Sequence, residues 1–329
     1  MSVITQLTRQ REFVIFLLVV AVFVAMIFAS PYFLTTGNIL AVLLSLSLES
    51  MIAVGMVNLM VSGGFDLSVG SMVGFSGVMV AMAVRGGWPV PVAVVSVLVL
   101  GTAIGFLNGF LVAKIGINPF VATLSSLSIY RGLTFVLTSG RNISGLSQSF
   151  KAIGQTRIAG IQLPIIYGLI LIIAGDRLLR NSRFFRQNYY IGGNEQAARL
   201  SGINVDRMKI MNYCITAALA TAAGIVFAAR MSSSSVQAGT GWELRVITAV
   251  ILGGASLKGG AGTVLGAFLG VLLMALISNS LTLLGVDVYW QQFVVGMTLL
   301  TAVLIDNLGK MKKEGKTLSL SWLKSLMKI

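Results

Sequence analysis

The sequence contains no histidine and only one cysteine, Cys214, among its 329 residues. Without imidazole there can be no Ser-His triad, no histidine general base and no histidine-ligated zinc, haem or non-haem iron site. A single cysteine cannot form a disulfide within one chain, and its place inside an apolar run predicts a small buried residue. We therefore predict that the chain has no catalytic residue, no metal ligand and no cofactor of its own.

Charged residues are scarce as well. They make up 10% of the chain, whereas apolar residues make up 56% and glycine contributes another 37 residues. A soluble domain has about 25% charged residues, so this chain could not cover a water-facing surface. Its apolar residues fall into long runs separated by short polar links, a pattern typical of an all-α polytopic membrane protein.

The basic residues are unevenly distributed. The 24 Lys and Arg residues outnumber the 10 Asp and Glu residues, which gives a net charge of +14. Fifteen of the 24 lie in three segments, residues 9–11, 177–209 and 310–328. Clusters of Lys and Arg mark the cytoplasmic loops of membrane proteins. The net charge therefore indicates orientation in a membrane and not binding to nucleic acid.

The apolar runs predict about ten transmembrane helices, since about 20 residues span a bilayer and fewer suffice inside a bundle. They cover residues 13–30, 38–61, 69–84, 90–113, 120–138, 162–179, 211–229, 244–257, 263–284 and 288–305. An even number puts both termini on one side, and the basic clusters predict that this side is the cytoplasm. The third and eighth helices are short and glycine-rich, and either could be re-entrant or broken.

This topology predicts one membrane domain with short cytoplasmic ends. The N-terminus would comprise residues 1–12, the transmembrane domain residues 13–305 and the basic cytoplasmic tail residues 306–329. Within the domain, residues 180–210 would form a long cytoplasmic loop.

A short helix is predicted in that loop. Asn194 is a good N-cap, Glu195 complements the positive end of the helix, and Gly202 suits the left-handed position that follows a helix. Two turns are too few for a helix that is stable alone in water, and this one would expose Ala198 and Leu200. It therefore either docks into a groove on a cytoplasmic partner or packs on the inner face of its own bundle.

Two glycine-rich strings lie beside the two short spans. Asp66, in SGGFDLSVG (62–70), either caps the following helix or accepts hydrogen bonds from a hydroxylated ligand. A related string, GGASLKGGAG, occupies residues 253–262, and four positions match at a constant offset of 190. Glycine-interrupted segments in two halves of a membrane protein indicate structural repeats around a central pathway.

Polar residues inside predicted spans are functional candidates by default. At the start of the fifth span, Pro119 suits the first helical turn, and Thr123 places a hydroxyl that serves either helix packing or a pathway. Arg131 lies near the outer end of the same span, from which its side chain could extend to the membrane interface. Glu243 and Arg245 flank the start of the eighth span and could also lie at the interface.

Five long strings are spread in order over most of the chain. They are SGGFDLSVGS (62–71), NGFLVAKIGINPFVATL (108–124), YRGLTFVLTSG (130–140), YIGGNEQAARLSGI (190–203) and LGGASLKGGAGT (252–263). In these strings the sequence closely resembles the permease subunits of bacterial ATP-binding cassette (ABC) importers for simple sugars, the ribose-type group. One departure is Phe65, where related permeases commonly have isoleucine and where a bulkier ring could alter packing or selectivity.

The resemblance implies several partners and two sites. The partners are a second permease copy or a paralogue, two cytoplasmic ATP-binding subunits that hold ATP and magnesium, and a periplasmic sugar-binding protein. Residues 192–202 would form the coupling helix that engages the ATP-binding subunit, and the 62–70 string would lie near the translocation pathway. The predicted coupling residues are Gly192, Gly193, Asn194, Glu195, Ala198, Arg199, Leu200, Ser201 and Gly202. The predicted pathway residues are Asp66, Ser68, Asn118, Phe120 and Thr123.

The predicted function is that of a permease subunit in the bacterial inner membrane. A ribose-like monosaccharide, delivered by the binding protein, would cross by alternating access driven by the partner ATPase. The chain has no GxxxxGK[ST] loop, so ATP hydrolysis would belong to another polypeptide. The alternatives are a stand-alone secondary sugar transporter and an ABC permease for a sugar-derived signalling molecule.

Overall fold

The computed structural model describes residues 11–313, most of which are helical. The helices are α1 (Arg11–Ala29), α2 (Thr36–Val61), α3 (Val69–Arg85), α4 (Val90–Ala113), α5 (Pro119–Thr138), α6 (Gln148–Gln155), α7 (Leu163–Asn181), α8 (Arg183–Gly193), α9 (Glu195–Leu200), α10 (Val205–Met231), α11 (Trp242–Leu252), α12 (Val264–Leu283) and α13 (Val288–Lys313). Two short antiparallel pairs join β1 (Ile143–Ser144) to β4 (Ser233–Ser234) and β2 (Arg157–Ile158) to β3 (Ile161–Gln162). Residues 1–10 and 314–329, which include most of the predicted N-terminus and tail, lie outside the described residues.

Each of the ten predicted apolar runs contains a helix. By length and composition, six helices could cross a membrane, namely α1, α2, α4, α5, α10 and α12. The helix α3 and the segment Tyr289–Leu304 of α13 are apolar but shorter. Neither α7, which carries three charged residues near its end, nor α11, which has 11 residues, belongs to these groups. The described part of the chain is therefore mostly helical, as expected, with several short helices in the bundle.

The eighth predicted span, residues 244–257, has wrong boundaries. The helix α11 begins at Trp242 and ends at Leu252. It stops there because Gly253 is its C-cap and Gly254 has a φ of +94°, which turns the chain out of the helix. The residues that follow form a glycine-rich turn before α12. The apolar run thus continues past the point at which the backbone leaves the helix.

The helix α10 lies at the centre of the bundle and packs against α2, α3, α4 and α6. Small residues allow these contacts, as is common in membrane helices. A methyl group at Gly105 of α4 would lie only 2.6 Å from the Cβ atom of Ala217 and 2.9 Å from the backbone of Cys214. The side chain of Cys214 is half-buried, whereas the sequence predicted a buried residue.

The two ends of the bundle carry different elements. We call the end that carries α8 and α9 the inner end, and the end that carries α6 and the strand pairs the outer end. At the outer end, α6 packs against the last turn of α10, where Gly154 touches the backbone of Arg230. At the inner end, α8 and α9 pack against one another and against the start of α10.

The helices α3 and α11 both begin inside the bundle. Gly224 of α10 touches the backbone of Val73, and the 1.5 Å rise per helical residue puts the start of α3 about 20 Å from the inner end of α10. After α10, residues 232–241 return from the outer end along α3, so that Ser234 lies near Gly77 and Gly239 lies near Gly70. We call residues 232–241 the re-entrant segment; most of them form turns, and they lead directly into the short helix α11. That the eighth span is broken stays a prediction.

Candidate functional site

The short helix predicted in the long loop is present as α9. The Oδ1 atom of Asn194 accepts a hydrogen bond from the N–H of Ala197 at 3.0 Å, and Gly202 has a φ of +82°. Both predicted caps are therefore confirmed. The helix covers six residues and not the predicted 192–202, because Gly192 and Gly193 complete the preceding helix α8.

The exposure predicted for α9 is half wrong. Leu200 is 90% exposed, as expected, but Ala198 is only 3% exposed. Ala198 packs in a small apolar cluster with Ile191 of α8 and with Val205 and Met208 of α10. One edge of α9 therefore packs on its own bundle while Leu200 projects away from it. Packing on its own bundle is therefore confirmed for this helix, and docking into a partner through Leu200 stays a prediction.

An ion-pair network fixes α9 to its neighbours. Glu195 contacts Arg199 at 2.9 Å and Lys209 of α10 at 2.6 Å. Arg199 also contacts Asp206 at 2.6 Å, and Asp206 contacts Lys114, at the end of α4, at 2.9 Å. Burial alone would raise the pKa of Glu195, but its hydrogen bonds with Lys209 and Arg199 outweigh burial and hold its pKa below 4.5. Sequence reasoning missed Lys114, Asp206 and Lys209, which are distant from the loop motif or lie outside it.

The chain immediately before α9 touches both glycine-rich turns. Gly192 packs directly on the carbonyl of Val61, at the end of α2, and on the backbone of Gly259 and Gly260. The N–H of Gly260 donates to the Val61 carbonyl at 2.9 Å, and the hydroxyl of Tyr189 donates to the Gly262 carbonyl at 2.7 Å. We call this contact of three backbone segments the glycine junction. It connects the predicted coupling helix to the two turns at which the bundle helices are interrupted.

A buried amide pair lies beside the glycine junction. Asn188 of α8 and Asn212 of α10 are both fully buried, and the Nδ2 atom of Asn212 donates to Asn188 Oδ1 at 2.9 Å. The same Nδ2 atom donates to the hydroxyl oxygen of Ser62, the C-cap of α2, at 3.1 Å. Buried polar groups that are satisfied in this way fix one relative position of their helices. The pair was not among the predicted site residues.

The two glycine turns have the same geometry. Gly63 and Gly254 have φ values of +85° and +94°. Their N–H groups donate to Met60 and Ile251 at 2.9 Å in both turns, and the next N–H reaches five positions back at 3.0 and 3.1 Å. The left-handed glycines lie 191 positions apart and not 190, and the same pair of bonds also ends helices at Gly87, Gly202 and Gly285, so the structural repeat stays a prediction. The paired glycines allow either alignment, and only the backbone identifies which glycine is left-handed.

Asp66 organises the start of α3 without being its N-cap. The N-cap is Ser68, which makes no side-chain capping bond. Asp66 Oδ1 accepts hydrogen bonds from the N–H and the hydroxyl of Ser68 at 2.7 and 2.6 Å. Asn108 of α4 donates to the Ser68 hydroxyl at 3.2 Å, and Ser126 of α5 donates to Asn108 Oδ1 at 2.5 Å. This chain of buried side chains joins three elements at one depth in the bundle.

Phe65 lies in the same loop. Its ring is half-buried against the main core, and its carbonyl accepts a hydrogen bond from the hydroxyl of the buried Tyr213 at 3.1 Å. The side chain at this position therefore packs against core residues, while the backbone is fixed by α10.

The remaining predicted pathway residues lie at the start of α5 and do not form one site. Asn118 and Phe120 are exposed, and Asn118 Oδ1 accepts a hydrogen bond from the Phe120 N–H at 2.9 Å as the N-cap of α5. Thr123 is fully buried, and its hydroxyl donates to the Pro119 carbonyl at 2.8 Å. The structure brings Asp66 and Ser68 together but leaves Asn118 and Phe120 on a separate surface.

The ionisable residues inside the spans are engaged within the bundle. Arg131 does not extend to the interface, because its Nη1 atom donates to the carbonyl of Ala238 at 2.8 Å in the re-entrant segment. Arg245 forms a 2.7 Å ion pair with Glu49, whose side chain is 1% exposed. Glu243 lies against Gly70 at the start of α3. The interface positions expected for these three residues are therefore wrong, because the re-entrant segment folds them inward.

Comparisons with known proteins place the chain among transport permeases. The profile of the family described as "Branched-chain amino acid transport system / permease component" matches residues 38–303. The ribose import permease protein RbsC of Escherichia coli K12 is 39% identical over 92% of this chain and 94% of its own length. Its counterpart in Bacillus subtilis is 38% identical over 84% of this chain and 87% of its own length. The autoinducer 2 import system permease protein LsrC of Salmonella typhi is 35% identical over 91% of this chain and 86% of its own length. No solved structure matches the chain.

Proposed function

Because the chain belongs to the family of branched-chain amino acid transport system permease components, and within it resembles ribose import permeases, we propose that it is the permease subunit of a sugar importer. It is a multi-pass protein of the bacterial inner membrane that carries a ribose-like sugar. The 39% identity to a ribose import permease over 92% of the chain is the observation that carries this conclusion. The match extends over nearly the whole length of both proteins, so it includes the coupling loop and the glycine turns together.

The topology that suits this function has ten crossings with both termini in the cytoplasm. The inner end of the bundle would face the cytoplasm, because the basic segment 177–209 lies there. Residues 13–305 would form one transmembrane domain, and the re-entrant segment with α11 would count as the eighth crossing. The loop 180–210 and the tail 306–329 would then lie in the cytoplasm, where ATP is available.

The mechanism that we propose is alternating access in a larger complex. Two permease chains, identical or paralogous, would carry two cytoplasmic ATP-binding subunits, and a periplasmic binding protein would deliver the sugar. ATP and magnesium would be bound by the ATP-binding subunits, since this sequence has no phosphate-binding loop. The membrane chain would supply no catalytic residue and no metal ligand.

Coupling would begin at α9. Leu200 is exposed and apolar, as expected of a side chain that enters a groove on the partner. The remaining coupling residues would shape the helix and its attachment: Gly192, Gly193, Asn194, Glu195, Ala198, Arg199, Ser201 and Gly202. Movement of α9 would reach the interrupted helices α2 and α11 through the glycine junction. Of the proposed pathway residues, Asp66 and Ser68 lie between α2 and α3, and Thr123 lies on α5. Asn118 and Phe120 would meet the sugar only at the inner mouth, where they are exposed.

Uptake of labelled ribose into proteoliposomes tests the function. Complexes that contain the permease, its ATP-binding subunit and its binding protein are expected to import ribose only when ATP is present. The same vesicles without the ATP-binding subunit are the control. Import that continues without this subunit would instead establish a secondary transporter.

The relative named for autoinducer 2 import supports a second candidate substrate, a sugar-derived signalling molecule. The same vesicles distinguish the two, because unlabelled autoinducer 2 would compete with labelled ribose only if the complex carries both. Ribose import that is unaffected by an excess of autoinducer 2 would support the monosaccharide.

A further inference from the structure

We infer that a cavity at the start of α11 is a sugar-binding subsite on the outer side of the translocation pathway. The inference rests on the proposed function and deepens it, since it assigns sugar contacts to residues outside every motif that the sequence singled out for the pathway. We call it the α11 cavity, and its polar lining consists of Thr240, Glu243, Arg245, Gln291 and Gln292.

The α11 cavity has the size and composition of a small-molecule site. Its volume is about 480 Å³, within the range of about 300–1,000 Å³ that is usual for ligand pockets. Apolar contacts come from Leu244 and Val295, and the polar groups come from two different helices. Charged and amide side chains at this depth are unfavourable against lipid, so they indicate a surface that faces water, ligand or protein.

The fold positions the cavity toward the outer end. Gln291 lies in the first turn of α13, and its Nε2 atom donates to the hydroxyl of Thr282, near the outer end of α12, at 3.2 Å. On the opposite wall, the re-entrant segment brings Thr240 down from the outer end and places Glu243 against Gly70. The cavity therefore lies where a ligand delivered from the outer side would first meet the interrupted helices.

Two polar atoms of the cavity residues have no partner. The Oε2 atom of Glu243 and the Nε atom of Arg245 are buried and make no hydrogen bond within residues 11–313. Arg245 uses its Nη1 atom to hold the buried Glu49 at 2.7 Å, which leaves the Nε–H as a donor. Buried polar atoms without partners are rare in folded proteins and each requires an explanation. Both atoms are enclosed by the protein, with Glu243 Oε2 against Gly70 of α3. The donors and acceptors available to a sugar hydroxyl are therefore the amides of Gln291 and Gln292 and the hydroxyl of Thr240.

The charges around the cavity favour a neutral ligand. The two carboxylates, Glu49 and Glu243, are matched by the two guanidinium groups, Arg131 and Arg245, so this layer has no formal net charge. Glutamine amides, which both donate and accept, complete the lining. A polyhydroxylated neutral molecule satisfies such a mixed set, whereas an ion would meet as much repulsion as attraction.

Protection of introduced thiols tests the inference. Thr240 and Gln292 are exposed, so Thr240→Cys and Gln292→Cys in a Cys214→Ala background are expected to fold. Each variant is assembled with its ATP-binding subunit and binding protein in proteoliposomes and treated with a water-soluble maleimide, with saturating ribose or with mannitol at the same osmolarity. Ser149→Cys, exposed on α6, is the matched control that lies away from the cavity.

Ribose is expected to slow modification of both cavity thiols at least tenfold and to leave Ser149→Cys unchanged. Maleimide attached at either cavity thiol is expected to reduce the rate of ribose import at least tenfold. Equal modification rates with ribose and mannitol, when the wild-type complex imports ribose, would overturn the subsite alone. Failure of the wild-type complex to import ribose would overturn the proposed substrate and the subsite with it.

Discussion

At the scale of single residues, exposure separates the side chains that hold the structure from those that can meet a partner. Ala198 and Leu200 lie two positions apart on α9, yet they are 3% and 90% exposed. The sequence could not distinguish them, because a six-residue helix has no internal periodicity to read and its buried edge is chosen by α8 and α10. The caps Asn194 and Gly202, in contrast, follow from local backbone chemistry and were predictable.

Leu200→Asp is the substitution that probes docking. It is expected to lower sugar-stimulated ATP hydrolysis by the complete complex by about tenfold or more, because a charge would replace a central apolar contact. Its melting temperature should stay close to that of the wild type, since Leu200 touches little of its own chain. Ala198→Asp is unsuitable because it buries a charge in the cluster. Ser149→Asp, at the outer end, is the control, and wild-type coupling by Leu200→Asp would refute the docking role.

Glu195 makes the attachment of α9 dependent on pH. Its pKa is below 4.5 in the folded chain, so its contribution to stability is complete above the unfolded pKa and is lost as the pH falls through the folded pKa. The wild type should therefore have a higher melting temperature than Glu195→Gln at pH 7. This difference in melting temperature should shrink toward zero as the pH falls below about 4. Thermal unfolding of the two purified permeases measures it. A difference that stays constant with pH would contradict the ion-pair role.

At the scale of elements, the fold depends on where helices are interrupted. The bounds of seven of the ten spans could be predicted within two residues because apolar runs set them. In contrast, α10 begins six residues earlier than predicted, α11 ends five residues earlier and α13 continues to Lys313. The re-entrant segment 232–241 could not be predicted, because it carries small and hydroxyl residues that suit a loop equally well, and only its packing against α3 places it inside the bundle. For the same reason, the pair formed by Glu49 and Arg245, which are 196 positions apart, was not foreseen. The α11 cavity was not foreseen either, because its walls come from residues 240–245 and 291–295 of separate elements.

Gly192 and Gly193 offer a matched test of the glycine junction. Both lie in the last turn of α8, but a methyl group at Gly192 would overlap the backbone of Val61 and Gly260, whereas the space around Gly193 is open. Gly192→Ala is expected to destabilise the permease by about 1–3 kcal/mol, as overpacking usually does. Gly193→Ala should leave the melting temperature unchanged or slightly higher. Equal melting temperatures for the two variants would show that the contact is not tight.

At the scale of the whole molecule, orientation rests on one weakly apolar helix. In the proposed topology, the outer loops that precede α7 and the basic loop that follows it are separated by the crossing of α7 alone. The helix α7 has 19 residues and carries charges near its end, so it is absent from the six helices that satisfy length and composition together. It packs against α2, α6 and α12, which supplies the burial that its composition lacks. The side of the membrane on which α9 lies therefore depends on whether α7 crosses.

Single cysteines on the two sides of α7 test this orientation directly. In a Cys214→Ala background, Ser149→Cys is expected to react with a membrane-impermeant maleimide added to spheroplasts, since it is exposed at the outer end. Leu200→Cys is expected to react only after the membrane is opened, because the proposed topology places it in the cytoplasm. Reaction of both from outside would show that α7 does not cross, and α9 could then not meet an ATP-binding subunit. Reaction of Leu200→Cys alone from outside would show that the whole bundle has the opposite orientation. The basic segment would then lie outside the cell, against the charge rule.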